Sequence, residues 1–127
     1  MRRATAALVL LIAAGPAPAQ TVTDGSDAAL PADVARAAIA LVGRGLKDPA
    51  SARVTGLRPG KAGAVCGEID QRNRMGAYTG PRRFVADPAS GFAGLLPEGP
   101  ELRAPASMAD YQAMQRALTL LAANCGG

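Results

Sequence analysis

Two cysteines, Cys66 and Cys125, constrain the fold of this chain more than any other feature of its sequence. No third cysteine exists, so in an oxidising compartment a Cys66–Cys125 bridge is the one intramolecular disulfide available. Closing a loop of this length stabilises a fold by about 4 kcal/mol in the loop-entropy treatment. Two free thiols, or a bridge between two molecules, remain the alternatives.

The N-terminal segment predicts such a compartment. Arg2 and Arg3 precede an apolar run over residues 4–14, and residues 17–19 read Ala-Pro-Ala. This order is typical of a cleavable secretory signal peptide, and the run is well short of the ~20 residues that a membrane-spanning helix needs. We therefore expect a signal peptide at residues 1–19, a periplasmic or secreted protein, and no transmembrane segment after cleavage. An N-terminal anchor or a buried helix is the alternative.

The rest of the chain has room for one domain with a modest core. Residues 20–30 are small and polar and predict a flexible lead-in, so the domain is expected over residues 31–127. Apolar residues spaced by three and four predict a helix from about Pro31 to Leu46. A similar stripe from Met108 to Cys125, with Ser107 in the N-cap position, predicts a C-terminal helix.

Short strands are predicted between the two helices. Alternating residues around 54–57 and 64–70 indicate a hairpin, residues 82–86 a third strand, and residues 92–96 at most one short strand in a connection rich in proline and glycine. The predicted fold is α+β: a small antiparallel meander of about three strands, with the N-terminal and C-terminal helices packed on one face. Val65 and Ile69 share one face of the predicted strand, so the side chain of Cys66 is expected on the opposite face unless a bulge intervenes.

The chain contains no histidine. Its absence removes Ser-His-Asp and Cys-His catalysis, and two cysteines alone cannot form an ordinary zinc site. One catalytic candidate remains, the pair Glu68 and Asp70, which lie two apart on a predicted strand with their side chains about 7 Å apart. The chain has no tryptophan and few other aromatic residues to form a sugar cleft. We therefore expect no enzyme, no cofactor and no metal, with a small hydrolase using this pair as the third hypothesis.

Positive charge is concentrated in the central part of the chain. Within residues 44–83 the carboxylates Asp48, Glu68 and Asp70 are outnumbered by the cations Arg44, Lys47, Arg53, Arg58, Lys61, Arg72, Arg74, Arg82 and Arg83. Such a region favours an anionic partner, for example an envelope polymer, a lipid headgroup or an acidic protein. A solvated sheet face without a ligand is the alternative. Nucleic acid is not expected, because few aromatic residues are available for base stacking.

Residues 48–84 carry a recognisable pattern. Matching positions are Asp48, Pro49, Ser51, Ala52, Cys66, Gly67, Asn73, Gly76, Tyr78, Gly80 and Phe84, while Asp70 replaces an asparagine and Ala77 a glycine. The segment resembles a small domain of unknown function found in exported bacterial proteins, with the pattern D-P-x-S-A followed by C-G-x-x-N-x-x-N-x-x-G-x-Y-x-G-x-x-x-F. The resemblance implies an exported α+β domain and no particular activity.

The loop within this pattern supplies the candidate binding residues. Tyr78 is placed at its tip, and Arg74, Arg82 and Arg83 are placed to attract an anionic partner, while Asp70 and Asn73 are expected to hydrogen-bond loop amides. In the alternative, the tyrosine folds back onto the sheet. Taken together, the sequence favours a cell-envelope accessory or binding protein without catalytic activity, or else a structural subunit of an envelope assembly.

Overall fold

The computed structural model describes residues 20–126. Within these residues three α-helices and five strands form an α+β fold: α1 Ala32–Arg44, α2 Gly99–Arg103, α3 Met108–Asn124, β1 Thr21–Val22, β2 Arg53–Pro59, β3 Val65–Asp70, β4 Arg82–Asp87 and β5 Phe92–Leu95. The strands lie side by side in the order β1-β2-β3-β4-β5. Within residues 20–126, no helix has the length and apolar character needed to cross a membrane.

The α+β class is confirmed, but the three-stranded antiparallel meander is wrong. The sheet has five strands and is mixed, because β1 pairs parallel to β2. Strand β1 has only two residues and is held by backbone bonds from Thr21 N to Ala52 O and from Thr23 N to Val54 O, 3.2 and 3.1 Å long. A pairing of this length leaves no alternation in the sequence from which it could be predicted.

Residues 20–30, predicted to be a flexible lead-in, contain β1 and a short 3-10 helix and hydrogen-bond to the rest of the domain. Gln20 is buried and donates from Nε2 to the Ile39 carbonyl, 2.9 Å away. A 3-10 helix over Ser26–Ala29 follows β1, and Ser26 Oγ accepts the amide of Leu57. Polar side chains of this segment therefore hydrogen-bond to both α1 and β2. The predicted signal peptide, residues 1–19, lies outside the described residues.

Both long helices form where the sequence places them. Helix α1 begins after Pro31 and buries Ala35, Ala38 and Val42 on one side. Helix α3 begins after Ser107, whose hydroxyl accepts the Asp110 amide at 3.0 Å, as its predicted capping role requires. Each helix is thus defined by an N-terminal residue and a stripe of apolar side chains.

The two helices cover opposite faces of the sheet, so the prediction that both pack on one face is wrong. On the first face Val65, Ile69 and Phe84 pack with α1 in the larger core. On the second face Cys66 and Val85 pack with α3. Adjacent strand residues point to opposite sides, so a core member on each side requires a helix on each side. The cysteine that faced away from its aliphatic neighbours therefore belongs to a second apolar layer.

A bulge in β2 keeps its apolar residues on the α1 face. The pairing with β3 shifts between Thr55 and Arg58, and Gly56 there adopts a φ of 62°. The glycine accommodates this left-handed conformation without a steric penalty. As a result Val54 and Leu57, three apart, both join the α1 core, and Arg58 comes to lie opposite Cys66.

A disulfide joins the second face to the end of α3, as predicted. Cys66 and Cys125 are bonded with an S–S distance of 2.05 Å. Next to it, buried Asn124 accepts the amides of Ala62 and Ala64 through Oδ1, at 2.9 and 3.0 Å. Helix α3 is therefore tied to both β3 and the turn that precedes it.

Candidate functional site

The loop between β3 and β4 is shaped by two side chains of the sequence pattern. Asn73 Oδ1 accepts the amides of Met75 and Ala77 at 2.9 and 3.1 Å, and Asp70 Oδ1 accepts the amide of Gly80 at 3.1 Å. These bonds are those predicted for Asp70 and Asn73. The loop is thereby held as a compact turn with Met75 at its tip, 89% exposed.

Tyr78 folds back onto the domain, as in the structural alternative for this residue. Its hydroxyl donates to the Ser51 carbonyl at 2.9 Å. The guanidinium carbons of Arg53 and Arg72 lie 3.6 and 5.4 Å from the ring centroid. Stacked guanidinium groups and a bonded hydroxyl hold the ring in place, so only Arg74 of the loop's predicted binding residues is free to extend from the turn.

Arg82 and Arg83 point to opposite faces of the sheet. Arg82 lies opposite Ile69, on the α1 side, donates from Nη2 to Leu96 O at 2.6 Å and forms ion pairs with Glu98 and Glu101. Arg83 lies opposite Glu68, on the α3 side. These two candidate binding residues therefore lie on different surfaces, because adjacent strand residues point to opposite faces, and their part in binding stays a prediction.

Helix α3 covers only part of its face and leaves a polar area that we call the open sheet face. It consists of Arg53, Thr55, Arg58, Glu68, Asp70 and Arg83, none of which is buried. Cross-strand pairing places Arg53 beside Asp70, and Thr55, Glu68 and Arg83 in one row. At the end of this face Arg83 Nη2 donates to the Cys125 carbonyl at 3.3 Å, which favours the C-terminus of α3.

The three arginines of this face outnumber its two carboxylates and form no close ion pairs among residues 20–126. Among residues 20–126, salt bridges join Arg82 to Glu98 and Glu101, and none involves Arg53, Arg58 or Arg83. Arg53 and Arg58 were counted in the basic region but not selected as binding residues. Strand alternation would have put Arg53 and Arg58 on opposite faces, and only the bulge at Gly56 brings both to the face of Glu68 and Asp70.

The carboxylate pair lies on this same open surface. Glu68 and Asp70 project from one face of β3, as their spacing predicted. Asp70 is hydrogen-bonded to the loop, and neither residue lines the groove described next. The described residues also contain no cluster of three or more cysteine, aspartate or glutamate side chains arranged to hold a metal ion.

A groove of about 990 Å³ follows the outer edge of β5, and we call it the edge groove. It runs between the end of α1 and the helices α2 and α3. Its lining comprises residues 45–48 and 71–74, Arg82, strand β5, and Glu101, Ala104, Pro105, Ala106, Asp110, Ala113, Met114 and Ala117. It brings together Arg74 and Arg82 of the predicted binding residues and leaves out Tyr78 and Arg83.

Comparisons with protein-family models, with curated proteins and with solved structures find no match to this chain. The resemblance of residues 48–84 to a small exported bacterial domain therefore stays a prediction. Function is inferred from the geometry of the described residues.

Proposed function

We propose that this chain is a non-catalytic binding protein of the cell envelope that holds an anionic partner on the open sheet face. The observation that supports the proposal is the group of arginines on this face, Arg53, Arg58 and Arg83, which outnumber its two carboxylates and form no salt bridge among residues 20–126. Guanidinium groups offer forked donors that match carboxylate, phosphate and sulfate oxygens. A rigid sheet presents them at fixed spacing, so an anionic group can bind with little loss of side-chain freedom.

The compartment in this proposal is the periplasm or the extracellular space. The buried Cys66–Cys125 disulfide supports it, because such bonds persist where thiols are oxidised. The partner is then an envelope component that carries phosphate or carboxylate groups. A structural subunit of an envelope assembly is the second candidate, favoured by the edge groove.

Neutralising two arginines of the open sheet face tests the proposal. The variant Arg53→Gln/Arg58→Gln is compared with Arg36→Gln/Arg44→Gln, which removes two exposed cations from α1 and changes the net charge equally. Sedimentation with phosphatidylglycerol vesicles measures binding at low salt, where screening is weak. We expect the sheet variant to bind about tenfold more weakly and the helix variant to bind about as well as the unchanged chain. Equal losses in both variants, or no binding by the unchanged chain, would contradict the proposal.

Replacing the carboxylates separates binding from hydrolysis. Glu68→Gln/Asp70→Asn removes negative charge beside the arginines, so the proposed site should bind the vesicles more tightly. A hydrolase that depends on this pair would instead lose turnover on its substrate, with no gain in binding to anionic vesicles. A fall in vesicle binding by this variant, with the fold intact by circular dichroism, would contradict the charge-based proposal.

A further inference from the structure

Helix α3 crosses the sheet with about one helical turn for each strand. Cys125 is bonded to Cys66 on β3, and Leu121, one turn earlier, packs in the same cluster as Val85 on β4. Ala117, one further turn back, lies against β5: its Cβ is 2.8 Å from the position that a Cβ on Gly94 would take. A turn rises about 5.4 Å and strands lie about 4.8 Å apart, so the two spacings nearly match.

The next turn of α3 extends past the last strand. Ala113 and Met114 line the edge groove, beside the outer edge of β5. Toward the N-terminus of α3 the predicted apolar stripe is exposed: Met108 is 69% exposed and Tyr111 is 45% exposed. The helix thus covers β3, β4 and β5 and extends about one strand width past the outer edge of β5.

The outer edge of β5 has the hydrogen-bonding groups that a sixth strand needs. Leu96 N donates to Arg83 O at 2.8 Å, and antiparallel ladders alternate, so Gly94 and Phe92 direct their backbone groups toward β4. Ala93 and Leu95 then direct theirs outward. Because β5 ends the sheet, these outward groups have no strand partner among residues 20–126.

We infer that an extended segment of a partner protein adds to β5 as a sixth strand and lies under the overhang of α3. Alternate side chains of that segment would face the two sides of the sheet. Those on one side meet Phe92 and Met114, and those on the other meet Leu46 and Leu95. Both sides of the segment therefore meet apolar residues, and β-branched side chains such as valine and threonine suit both.

Positive charge at one end of the edge groove favours a partner segment that has acidic residues at one terminus. Lys47, Arg72 and Arg74 line the groove near the Leu95 end of β5, and no salt bridge among residues 20–126 engages them. Of the carboxylates in the lining, Glu101 pairs with Arg82, while Asp48 and Asp110 add negative charge. A second copy paired through its own β5 would bring the sequence Phe-Ala-Gly-Leu, which has no acid to neutralise the cations.

A synthetic peptide tests the inference with the oxidised protein. The probe is acetyl-Asp-Asp-Val-Thr-Val-Thr-Val-amide, whose acidic end meets the Leu95 end of β5 when the peptide runs antiparallel. Binding is measured by isothermal titration against the variant Ala113→Trp, which fills the groove from an exposed helix position. The matched control is Ala122→Trp, also exposed on α3 but outside the groove. We expect saturable binding that Ala113→Trp weakens about tenfold and Ala122→Trp leaves unchanged.

Two modified peptides identify the mode of binding. N-methylation of the valines removes backbone donors and should weaken binding about tenfold, and Lys-Lys in place of Asp-Asp should weaken it by a similar factor. Equal binding of the N-methylated peptide, or of Ala113→Trp, would overturn the inference. It would also be overturned by a dimer in sedimentation that Ala113→Trp dissociates, since the occupant would then be a second copy. Vesicle binding by the open sheet face should be unaffected in Ala113→Trp, so failure of one proposal is distinguishable from failure of the other.

Discussion

The two faces of the sheet are stabilised in different ways. The α1 face is a continuous apolar layer in which Val54, Ile69 and Phe84 are almost completely buried against Ala38 and Val42. The α3 face has a smaller buried cluster, around a disulfide, and the rest of it is polar and open. Area burial stabilises the first face, whereas on the second a disulfide adds to a smaller buried cluster. Because α3 covers β3 to β5 and leaves β2 uncovered, the rest of this face stays available for a partner.

Removing the disulfide should have the largest effect. The variant Cys66→Ala/Cys125→Ala loses the constraint across a separation of 59 residues, and we expect the free energy of unfolding to fall by about 4 kcal/mol. Urea unfolding followed by circular dichroism measures the loss. Reductant should destabilise the unchanged chain and leave the variant unaffected. A loss below about 1 kcal/mol would show that packing alone holds α3 on its face.

A cavity created on the α1 face should have the second-largest effect on the free energy of unfolding. Ile69 is 1% exposed in the larger core, so Ile69→Ala should lower the free energy of unfolding by about 3 kcal/mol. Ile69→Val is the matched control and should lose about 1 kcal/mol. Both losses are expected in the oxidised protein, because the disulfide lies on the other face. An unchanged free energy of unfolding in Ile69→Ala would contradict the view that apolar packing stabilises the α1 face.

Acid should produce the smallest effect, at the edge of the sheet. Asp24 accepts the amides of Gly56 and Ser26 at 2.9 and 3.0 Å, and these bonds, that from Gly56 foremost, hold the pKa of Asp24 below its ordinary value of 3.8. A lowered pKa in the folded state means that the carboxylate stabilises the fold above pH 3.8 and loses this contribution as the pH falls through the folded pKa.

The variant Asp24→Asn should therefore show a melting temperature that depends less on pH below about 4 than that of the unchanged chain. Thermal melts recorded by circular dichroism across this range make the comparison. Asp33→Asn, an exposed position in the first turn of α1, is the control for removing one carboxylate elsewhere. Identical pH profiles for Asp24→Asn and the unchanged chain would show that the bond to the Gly56 amide does not stabilise the β2 bulge.

The sequence predicted those elements whose signals are local. Ser107 and the stripe behind it located α3, and the alternation of Val65, Cys66 and Ile69 located β3 together with the outward direction of its cysteine. That direction already implied a second apolar layer, but the layer became visible only when α3 was placed on it. Strand β1 gave no signal, because its two residues depend on pairing with β2 about thirty positions later.

The candidate sites depended on tertiary placement to a greater degree. Counting cations along the chain grouped Arg82 with Arg83, although their adjacency on a strand sends them to opposite faces. The open sheet face required the hairpin pairing that sets Arg53 and Arg58 beside Glu68 and Asp70. The extension of α3 past β5, its overhang, could not be predicted without the number of strands. The apolar stripe of a helix does not reveal how many strands lie beneath it.

Asn124 has a consequence for the order in which the domain can be completed during synthesis. The amides of Ala62 and Ala64 donate to Asn124, which is synthesised 62 and 60 residues later. Cys66 is bonded to Cys125, which is synthesised 59 residues later. A chain growing from its N-terminus thus presents the β2–β3 hairpin with an unsatisfied turn and a reactive thiol throughout this interval. Asn124 and Cys125 are consecutive, so the acceptor for the turn amides and the partner of Cys66 become available at the same time. The hydrogen bonds of the turn and the disulfide can then form in one step.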